Sequence, residues 1–498
     1  MGYIHEPAGM GQPGAVVRGE YAGRRFVLRT GESPDAARLH PPMSESLSES
    51  LNEPSSRGVR WSAPMTRRML RLADEPRLLK EPREGIPEVV DTLEGFHEAC
   101  ERLAGARGPL AADAERASGF RYGHEDWLVQ FKRDGAGIVL FDPIALGDRH
   151  VDWEEFNGAV DGAVWILHDS LQDLPGYSQL GMRPSGLFDT EIAARLLGMH
   201  RFGLAAVTER LLGLTLAKEH SAADWSYRPL PRDWRNYAAL DVELLIELRH
   251  RLHDALVKAG KDRWAEEEFA YALHKGMTPR PPHPTPWMRL SHVTVLGHDR
   301  QGQAVAKALW EERERLARLH DIAPTLLLSD AAIIAAARTK PRNAKEFRAM
   351  RILNERVRIH TGGEQDKMFE RYGPIQRQVR PAAWKRVIQE ALALPEDQWP
   401  TMPEPHEQVH ANAPRSMRVW STRHPERYAR LQAARKAINQ ISQDTRTPPE
   451  LLVKPQMLRN LCWTDAPQEC DVASFLRDQG ARQWQVDLVS ASVTRAIM

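Results

Sequence analysis

Two carboxylates interrupt a stretch of sequence that otherwise predicts a buried β-strand. The segment from Gly108 to Gly123 reads GPLAADAERASGFRYG, and Asp113 and Glu115 lie two residues apart in its apolar part. Because side chains alternate across a strand, the two carboxylates project from one face. A buried carboxylate without a partner is energetically costly. The strand therefore needs compensating groups beside this face, and its geometry suits one metal centre.

Length and composition predict a soluble protein of several domains. The chain has 498 residues, more than one hydrophobic core usually serves, so we expect two to four domains. No apolar run approaches the roughly 18 residues of a membrane helix, and we expect no signal peptide at the N-terminus. Cys100, Cys462 and Cys470 lack the spacing of a zinc site or a disulfide framework. We therefore expect a reducing, cytoplasmic location.

The charge of the chain is distributed unevenly. Residues 87–273 contain 20 Lys and Arg against 32 Asp and Glu, a net charge of −12. Residues 301–380 contain 16 basic against 10 acidic residues, a net charge of +6. An acidic region joined to a basic one predicts that the basic region attracts a polyanion.

The hydrophobic pattern predicts an α/β domain followed by helical domains. Residues 1–60 are rich in Gly, Pro, Ser and charge, which predicts a disordered tail. The pattern of strands and helices covers 87–275, a proline-rich linker covers 276–300, and the rest is helical. The strands predicted in the α/β domain are PLAADAE, 127–133, 137–143 and 163–168, and its predicted helices are 152–160, 171–181, 188–198, 203–213 and 231–256.

Two helical segments resemble one another. Residues 304–341 and 428–463 each begin with an arginine-rich amphipathic helix, continue through a break that contains Pro, and enter a second helix. An internal repeat of a small helical module explains both segments. We therefore expect one such domain at 301–380 and a second at 381–498.

Other residues could complete a site around the two strand carboxylates. Asp173 follows the strand 163–168 near a helix start, where carboxylates are also common as helix caps. Tyr237 and Asp241 are four residues apart and share one helical face. Four converging carboxylates repel one another unless cations lie between them, and oxygen ligands favour Mg²⁺ or Mn²⁺. Two such ions can promote an in-line displacement at phosphorus.

Five motifs in order carry a resemblance to a known family. The segments AADAE, LHDSLQDLPGY, FDTEIAARLLG, SAADWSYRPLP and YAALDVELL resemble ribonuclease D, a 3′→5′ exoribonuclease of the DEDD superfamily. The helical repeats resemble HRDC domains. The resemblance implies an α/β ribonuclease H-like exonuclease domain followed by all-α HRDC-type helical domains.

The resemblance also implies roles for individual residues. Asp113, Glu115, Asp173 and Asp241 would bind two divalent metal ions, Mg²⁺ or Mn²⁺, and Tyr237 would position the nucleophilic water. The spacing Tyr-x3-Asp is that of the tyrosine branch of the superfamily, in which His168 is not a general base.

Two further aspartates, Asp169 and Asp189, are alternative candidates for metal binding. Asp169 competes with Asp173, but Asp173 has the family's distance from His168 and precedes the family's Leu. Asp189 in FDTEIA is expected to cap its helix.

Three more residues are candidates for substrate binding. Lys218, Trp225 and Arg228 lie in KEHSAADWSYRPLP, a segment that the family places near the active site. A Trp and cations could contact a base and a phosphate there. Packing of Trp225 under the loop is an equal alternative.

The resemblance thus implies an enzyme that releases nucleoside 5′-monophosphates from RNA 3′ ends. The family's usual substrates are transfer-RNA precursors, and we expect a monomer without a membrane partner. A 3′→5′ DNA exonuclease is the alternative with the same chemistry. A catalytically silent RNA-binding protein is the alternative of another class.

Overall fold

The computed structural model describes residues 76–216, 223–354, 357, 370–379, 381–400, 413–414, 416–465 and 470–498, and the backbone of two earlier strands. These strands, β1 (Val16–Tyr21) and β2 (Arg24–Arg29), pair antiparallel, and the sequence does not predict them. The rest of the predicted tail at 1–60 lies outside the described residues.

A mixed six-stranded sheet forms the centre of the exonuclease domain. The remaining strands are β3 (Arg77–Leu79), β4 (Val89–Val90), β5 (Arg107–Arg116), β6 (Asp126–Asp134), β7 (Gly137–Phe141), β8 (Val164–Leu167), β9 (Gly186–Asp189) and β10 (Leu214–Leu216). The sheet order is β4-β7-β6-β5-β8-β9, and β3 pairs with β10 separately. The predicted meander is confirmed, because β5, β6 and β7 pair antiparallel. Strand β5 also pairs parallel with β8, so it joins the two halves of the sheet.

Helices cover the sheet and complete the domain. They are α1 (Leu93–Gly105), α2 (Pro143–Asp148), α3 (Trp153–Ala159), α4 (Leu174–Leu180), α5 (Thr190–Leu196), α6 (Leu204–Leu212), α7 (Arg232–Glu243), α8 (Leu245–Ala259) and α9 (Asp262–Met277). Helices α3 to α6 lie within the ranges predicted from the sequence. Helices α1, α2 and α9 are not predicted, although α1 has a Thr92 cap and a buried apolar face.

The predicted helix at 231–256 is wrong in one respect, because it breaks at Leu244. The backbone there has φ −106° and ψ −1°, and its N–H donates to the Val242 carbonyl. Leu240 and Leu244 pack with Leu214 in a small cluster beside β10. Leu248, beyond the break, packs in the main core. Because of the break, apolar residues of one segment pack into two separate clusters. The hydrophobic periodicity of the sequence does not indicate this break.

The predicted linker at 276–300 is only partly extended. Helix α9 continues to Met277, and two 3₁₀ turns follow at Pro286–Arg289 and Val293–Leu296. Leu290 and Leu296 are buried in the core of the next domain. The second half of this segment therefore belongs to that core.

Two helical regions follow the linker. The first helical region contains α10 (Arg300–His320), α11 (Pro324–Leu327), α12 (Asp330–Thr339), α13 (Ala344–Ala349), α14 (Arg351–Asn354), α15 (Gly373–Gln378) and α16 (Pro381–Ala393). The C-terminal region contains α17 (Met417–Arg423), α18 (Pro425–Thr445), α19 (Pro449–Leu452), α20 (Pro455–Trp463), α21 (Val472–Asp478) and α22 (Gln483–Ile497). The segments predicted as a repeat share one succession of helices. A 21-residue helix, α10 or α18, is followed by a four-residue helix and then by a third helix.

Two of the three cysteines are buried. Cys100, Cys462 and Cys470 are all free thiols. Burial raises the pKa of Cys100 and of Cys462 to about 12, so these two thiols stay protonated and unreactive.

Within the part of the chain that the structure describes, none of the helices has both the length and the apolar character to cross a membrane.

Candidate active site

Three carboxylates converge where helix α7 packs against strand β5. Asp113 and Glu115 come from one face of β5, and Asp241 comes from α7. One oxygen of each carboxylate lies within 4.8 Å of the other two. The alternation of the strand and the helical turn of α7 thus bring together residues that are more than 120 positions apart.

The electrostatics of this group fit a divalent cation. Burial raises the pKa of Asp113 well above its usual value, and the nearby charges of Asp173 and Asp241 raise it further. Burial likewise raises the pKa of Glu115, with Asp113 and Asp241 adding to the shift. The protein alone therefore leaves these carboxylates in mutual repulsion. A donor set made of carboxylate oxygens fits a hard cation such as Mg²⁺ or Mn²⁺.

Tyr237 lies beside the three carboxylates, one helical turn before Asp241. Burial raises the pKa of its phenol, and the charges of Asp241, Glu115 and Asp113 raise it further, together with a hydrogen bond to Asp241. The phenol therefore stays protonated. In this environment Tyr237 is placed to orient a group by hydrogen bonding.

Asp173, the fourth predicted ligand, lies beside the three carboxylates but outside their group. It precedes α4, yet its side chain makes no capping hydrogen bond. Instead, Arg116 Nη2 donates to Asp173 Oδ1 at 2.9 Å. Burial raises the pKa of Asp173 to about 7, while Arg116 lowers it. The competing residue Asp169 accepts a hydrogen bond from Gln172 within the same turn.

Two polar residues on the neighbouring strands have structural contacts. Asp189 caps α5, as predicted, by accepting from the N–H groups of Glu191 and Ile192. His168 Nδ1 lies 2.8 Å from the hydroxyl of Thr190, next to the end of β8.

Trp225 and Arg228 make contacts within the protein, which for Trp225 is the packing alternative, and their role in substrate binding stays a prediction. Trp225 is 1% exposed, and the centroid of its ring lies 6.2 Å from that of Tyr237. The Trp225 ring therefore supports the ring of Tyr237. Arg228 donates to Asp142 and to the carbonyls of Trp225, Tyr227 and Trp127. These bonds fix the loop in place. Lys218 lies outside the described residues.

Several residues that support the site are missed by the sequence analysis. Gln130 lies directly opposite Asp113 in the β5–β6 ladder, and its Nε2 donates to Asp113 Oδ2 at 2.7 Å. Pairing the two predicted strands in register could have found this contact. Lys132 on β6 donates to the buried carboxylate of Glu243 at 2.7 Å, which fixes the end of α7. No local pattern indicates this bond, because the partners are 111 residues apart.

Comparison with protein families finds three matching segments. Residues 87–257 match a model described as a 3′-5′ exonuclease. Residues 302–364 match the HRDC domain. Residues 413–497 match a model described as a 3′ to 5′ exonuclease C-terminal domain. The predicted fold class, a ribonuclease H-like exonuclease domain followed by helical HRDC-type domains, is confirmed. The boundaries of the second HRDC-like domain stay a prediction.

Individual relatives agree with these matches. Ribonuclease D of Shewanella sp. is 31% identical over 230 residues, which are 46% of this chain and 58% of the relative. Ribonuclease D of Psychromonas ingrahamii is 30% identical over 275 residues, which are 55% of this chain and 72% of the relative. A crystal structure of a protein from Bifidobacterium adolescentis is 64% identical, with a TM-score of 0.80, and the match covers 85% of this chain and all of that one. By these matches, and by the fold and acidic site described above, the chain belongs to the ribonuclease D family.

Proposed function

We propose that this protein is a two-metal-dependent 3′→5′ exoribonuclease that removes nucleotides one at a time from RNA 3′ ends. The observation that carries the proposal is the convergence of Asp113, Glu115 and Asp241 within 4.8 Å. A carboxylate group of this kind, with a protonated Tyr237 beside it, suits hydrolysis of a phosphodiester. The assembled group also argues against a catalytically silent RNA-binding protein.

In the proposed reaction, water attacks the phosphorus of the last phosphodiester bond. The bond to the 3′ oxygen of the preceding nucleotide breaks, that oxygen takes up a proton, and the terminal residue leaves as a nucleoside 5′-monophosphate. Two divalent ions, Mg²⁺ or Mn²⁺, would supply the positive charge that acidifies the water and stabilises the leaving oxygen.

The side chains of this chain divide the remaining tasks. Asp113, Glu115, Asp241 and Asp173 would hold the ions, and Gln130 fixes Asp113 through its 2.7 Å hydrogen bond. Tyr237 orients the attacking water through its hydroxyl. Transfer-RNA precursors as substrates, a monomeric state and a cytoplasmic location belong to the same proposal.

Incubation with labelled single strands tests the activity. Matched RNA and DNA strands labelled at either end are incubated with Mg²⁺, with Mn²⁺ or with EDTA, and the products are separated by length. We expect RNA to shorten from its 3′ end in steps of one nucleotide, with release of 5′-monophosphates that stops in EDTA. Faster degradation of DNA would instead establish a DNA exonuclease.

The matched variant for this assay is Asp113→Asn. It removes one ligand charge and keeps the shape of the side chain, so it relieves repulsion and leaves the fold intact. We expect no cleavage above background at millimolar Mg²⁺, with wild-type thermal unfolding. Retained hydrolysis by Asp113→Asn would contradict the proposed site.

Tyr237→Phe tests the role of the phenol. The change keeps the ring that packs on Trp225 and removes only the hydroxyl. We expect kcat to fall by about 10²–10⁴-fold, the usual effect of losing a positioned proton donor or acceptor. Single-turnover cleavage and RNA binding are measured side by side. Equal losses in rate and in RNA affinity would instead assign Tyr237 to substrate contact.

A further inference from the structure

We propose that Arg116 and Asp126 form a built-in anchor that holds Asp173 in place for metal binding. Arg116 is thus a positioning residue, and the inference rests on the proposed function of the acidic site. The anchor consists of one guanidinium between two carboxylates. Arg116 Nε lies 2.9 Å from Asp126 Oδ1, and Arg116 Nη2 lies 2.9 Å from Asp173 Oδ1.

All three side chains of the anchor are removed from solvent. The side chains of Arg116, Asp126 and Asp173 are 21%, 0% and 6% exposed. Taking a charge out of water is costly unless it is paired with good geometry, so this arrangement is not that of a loose surface ion pair. The guanidinium offers its donors in a fixed fork, which sets where each carboxylate lies.

The strands are shaped to place Arg116. It is the last residue of β5, directly after Glu115, and it pairs with Asp126, the first residue of β6. The ladder shifts register between Glu115 and Arg116, which is a β-bulge or a similar irregularity. Bulges next to active sites re-aim side chains. Here the irregularity separates a proposed metal ligand from the residue that anchors another ligand.

Helix α4 is also shaped to fit the anchor. A Cβ atom on Gly176 would lie 2.1 Å from Asp126 Oδ2, so only glycine lets the helix sit this close to the carboxylate. Asp173 immediately precedes the same helix. The glycine therefore brings the start of α4, and with it Asp173, over the Arg116–Asp126 pair.

The need for an anchor follows from the charges of the site. Asp173 is repelled by the neighbouring carboxylates of Asp113 and Glu115. A donor must hold it near them when no cation does. Arg116 provides that donor, and Asp126 balances the charge of Arg116. The pair thus fixes Asp173 without cancelling the negative charge that attracts metal ions.

The effect on metal affinity distinguishes this positioning role from that of a simple counterion. A counterion competes with the metal, so its removal strengthens metal binding. An anchor orients a ligand, and loss of such a partner of a metal ligand typically weakens metal affinity by about 10–100-fold. The two roles therefore predict opposite changes in affinity.

The test replaces the whole pair, because Arg116→Met alone leaves Asp126 buried and uncompensated. The double variant Arg116→Met with Asp126→Leu exchanges a buried ion pair for apolar side chains, which is often neutral for stability. Mn²⁺ affinity is measured on the full chain by calorimetry, and thermal unfolding is followed in EDTA. Arg183→Met, which removes an exposed ion pair with Glu154 that shares no residue with the anchor, is the control.

We expect the double variant to unfold near the wild-type temperature and to bind Mn²⁺ about 10–100-fold more weakly. Arg116→Lys keeps the charge but loses the fork, so we expect an intermediate affinity. Unchanged or tighter Mn²⁺ binding by a folded double variant would overturn the inference. If the double variant does not fold, wild-type affinity in Arg116→Lys overturns it alone.

The binding assay also keeps this inference separate from the proposed function. Mn²⁺ affinity is measured without any nucleic acid. A wild-type protein that binds Mn²⁺ but cleaves neither RNA nor DNA would remove the proposed function. The effect of the double variant on Mn²⁺ affinity would still decide the role of Arg116.

Discussion

The two helical regions attach to the exonuclease domain in different ways. The C-terminal region shares one continuous apolar cluster with the exonuclease domain, in which Leu461 and Val489 join the same core as Phe131 and Leu167. The first helical region has a separate core. The exonuclease domain contributes Phe120 to that core, with Tyr122 packed against it.

The C-terminal attachment is built around two tryptophans and a buried carboxylate. Trp484 stacks on Trp264 with ring centroids 4.8 Å apart and planes 15° apart. Its Nε1 donates to Glu268 at 3.0 Å, and Arg482 donates to the same carboxylate at 2.6 Å and 2.8 Å. This contact involves α9, which carries none of the acidic site residues.

The attachment of the first helical region begins next to the acidic site. Phe120 lies on the loop between β5 and β6, four residues after Arg116, and its carbonyl accepts from the Ala323 N–H at 2.8 Å. Arg121 on this loop pairs with Asp321 at 2.9 Å.

A second loop beside the site reaches the same region. Asp224 is fully buried and accepts from the Tyr372 hydroxyl at 2.8 Å and from Arg371 at 3.0 Å. The next residue, Trp225, packs against Tyr237. Both loops that flank the acidic group therefore end on the first helical region.

The difference assigns separate tasks to the two regions. The C-terminal region completes the core of the exonuclease domain, so it contributes mainly to stability. The first helical region holds the loops around Arg116 and Tyr237, so it contributes to the geometry of the site. The uneven charge of the sequence predicts that the basic region binds RNA, and deletion of that region would ordinarily test this role. The contacts indicate that removal of either region also disturbs the exonuclease domain.

The largest expected effect is that of Trp484→Ala on stability. The change removes the ring stacked on Trp264 and one donor to the buried Glu268, so we expect the free energy of unfolding to fall by about 3–5 kcal/mol. Cleavage by the protein that stays folded should be near wild type. Chemical denaturation measures the loss, with Leu319→Ala, at a side chain that is 67% exposed, as the control. A loss below about 1 kcal/mol would show that the C-terminal region is not part of the core.

Asp224→Asn should affect the site more than the overall stability. The variant keeps the shape of the side chain but weakens the bonds to Tyr372 and Arg371, a loss of about 1–3 kcal/mol for a buried acceptor. Because Asp224 fixes the loop under Tyr237, we expect a lower kcat with unchanged KM. The control is Asp254→Asn, whose side chain is 84% exposed. Wild-type kcat in a variant that is measurably less stable would break the link between this interface and the site.

Local patterns predicted the acidic site better than they predicted its support. Asp113, Glu115 and Asp241 stand out in sequence because carboxylates are rare at positions that otherwise predict buried strand and helix faces. Strand alternation and helical periodicity then indicate which face each occupies.

Contacts between distant segments could not be predicted in this way. Arg116 follows Glu115 directly in the sequence. Its proposed positioning role depends on Asp126 and Asp173, which only the folded protein brings near it. Trp225 and Arg228 lie in a motif of the family, and the resemblance indicates their neighbourhood but does not decide between packing and substrate contact for Trp225 or give the bonds of Arg228. Such contacts depend on tertiary packing, which local propensity does not encode.

The smallest expected effect is a difference between the two helical regions in the salt dependence of RNA binding. Lys345 is exposed in the first helical region, within a basic stretch that also contains Arg342 and Arg348. If RNA that enters the site crosses this region, Lys345→Gln removes about one phosphate contact and lowers the salt dependence of binding by a slope of about 0.7–1. The loss should be the same for every RNA sequence, because a phosphate contact reads no base.

Lys436→Gln, at an exposed position of the C-terminal region, is the matched control and should leave the slope unchanged. Fluorescence anisotropy of a labelled RNA strand, titrated at several salt concentrations with Asp113→Asn present in all proteins to prevent cleavage, measures both slopes. Equal changes in the two variants would mean that RNA binds along both regions, and that the two differ in how they attach to the exonuclease domain but not in what they bind.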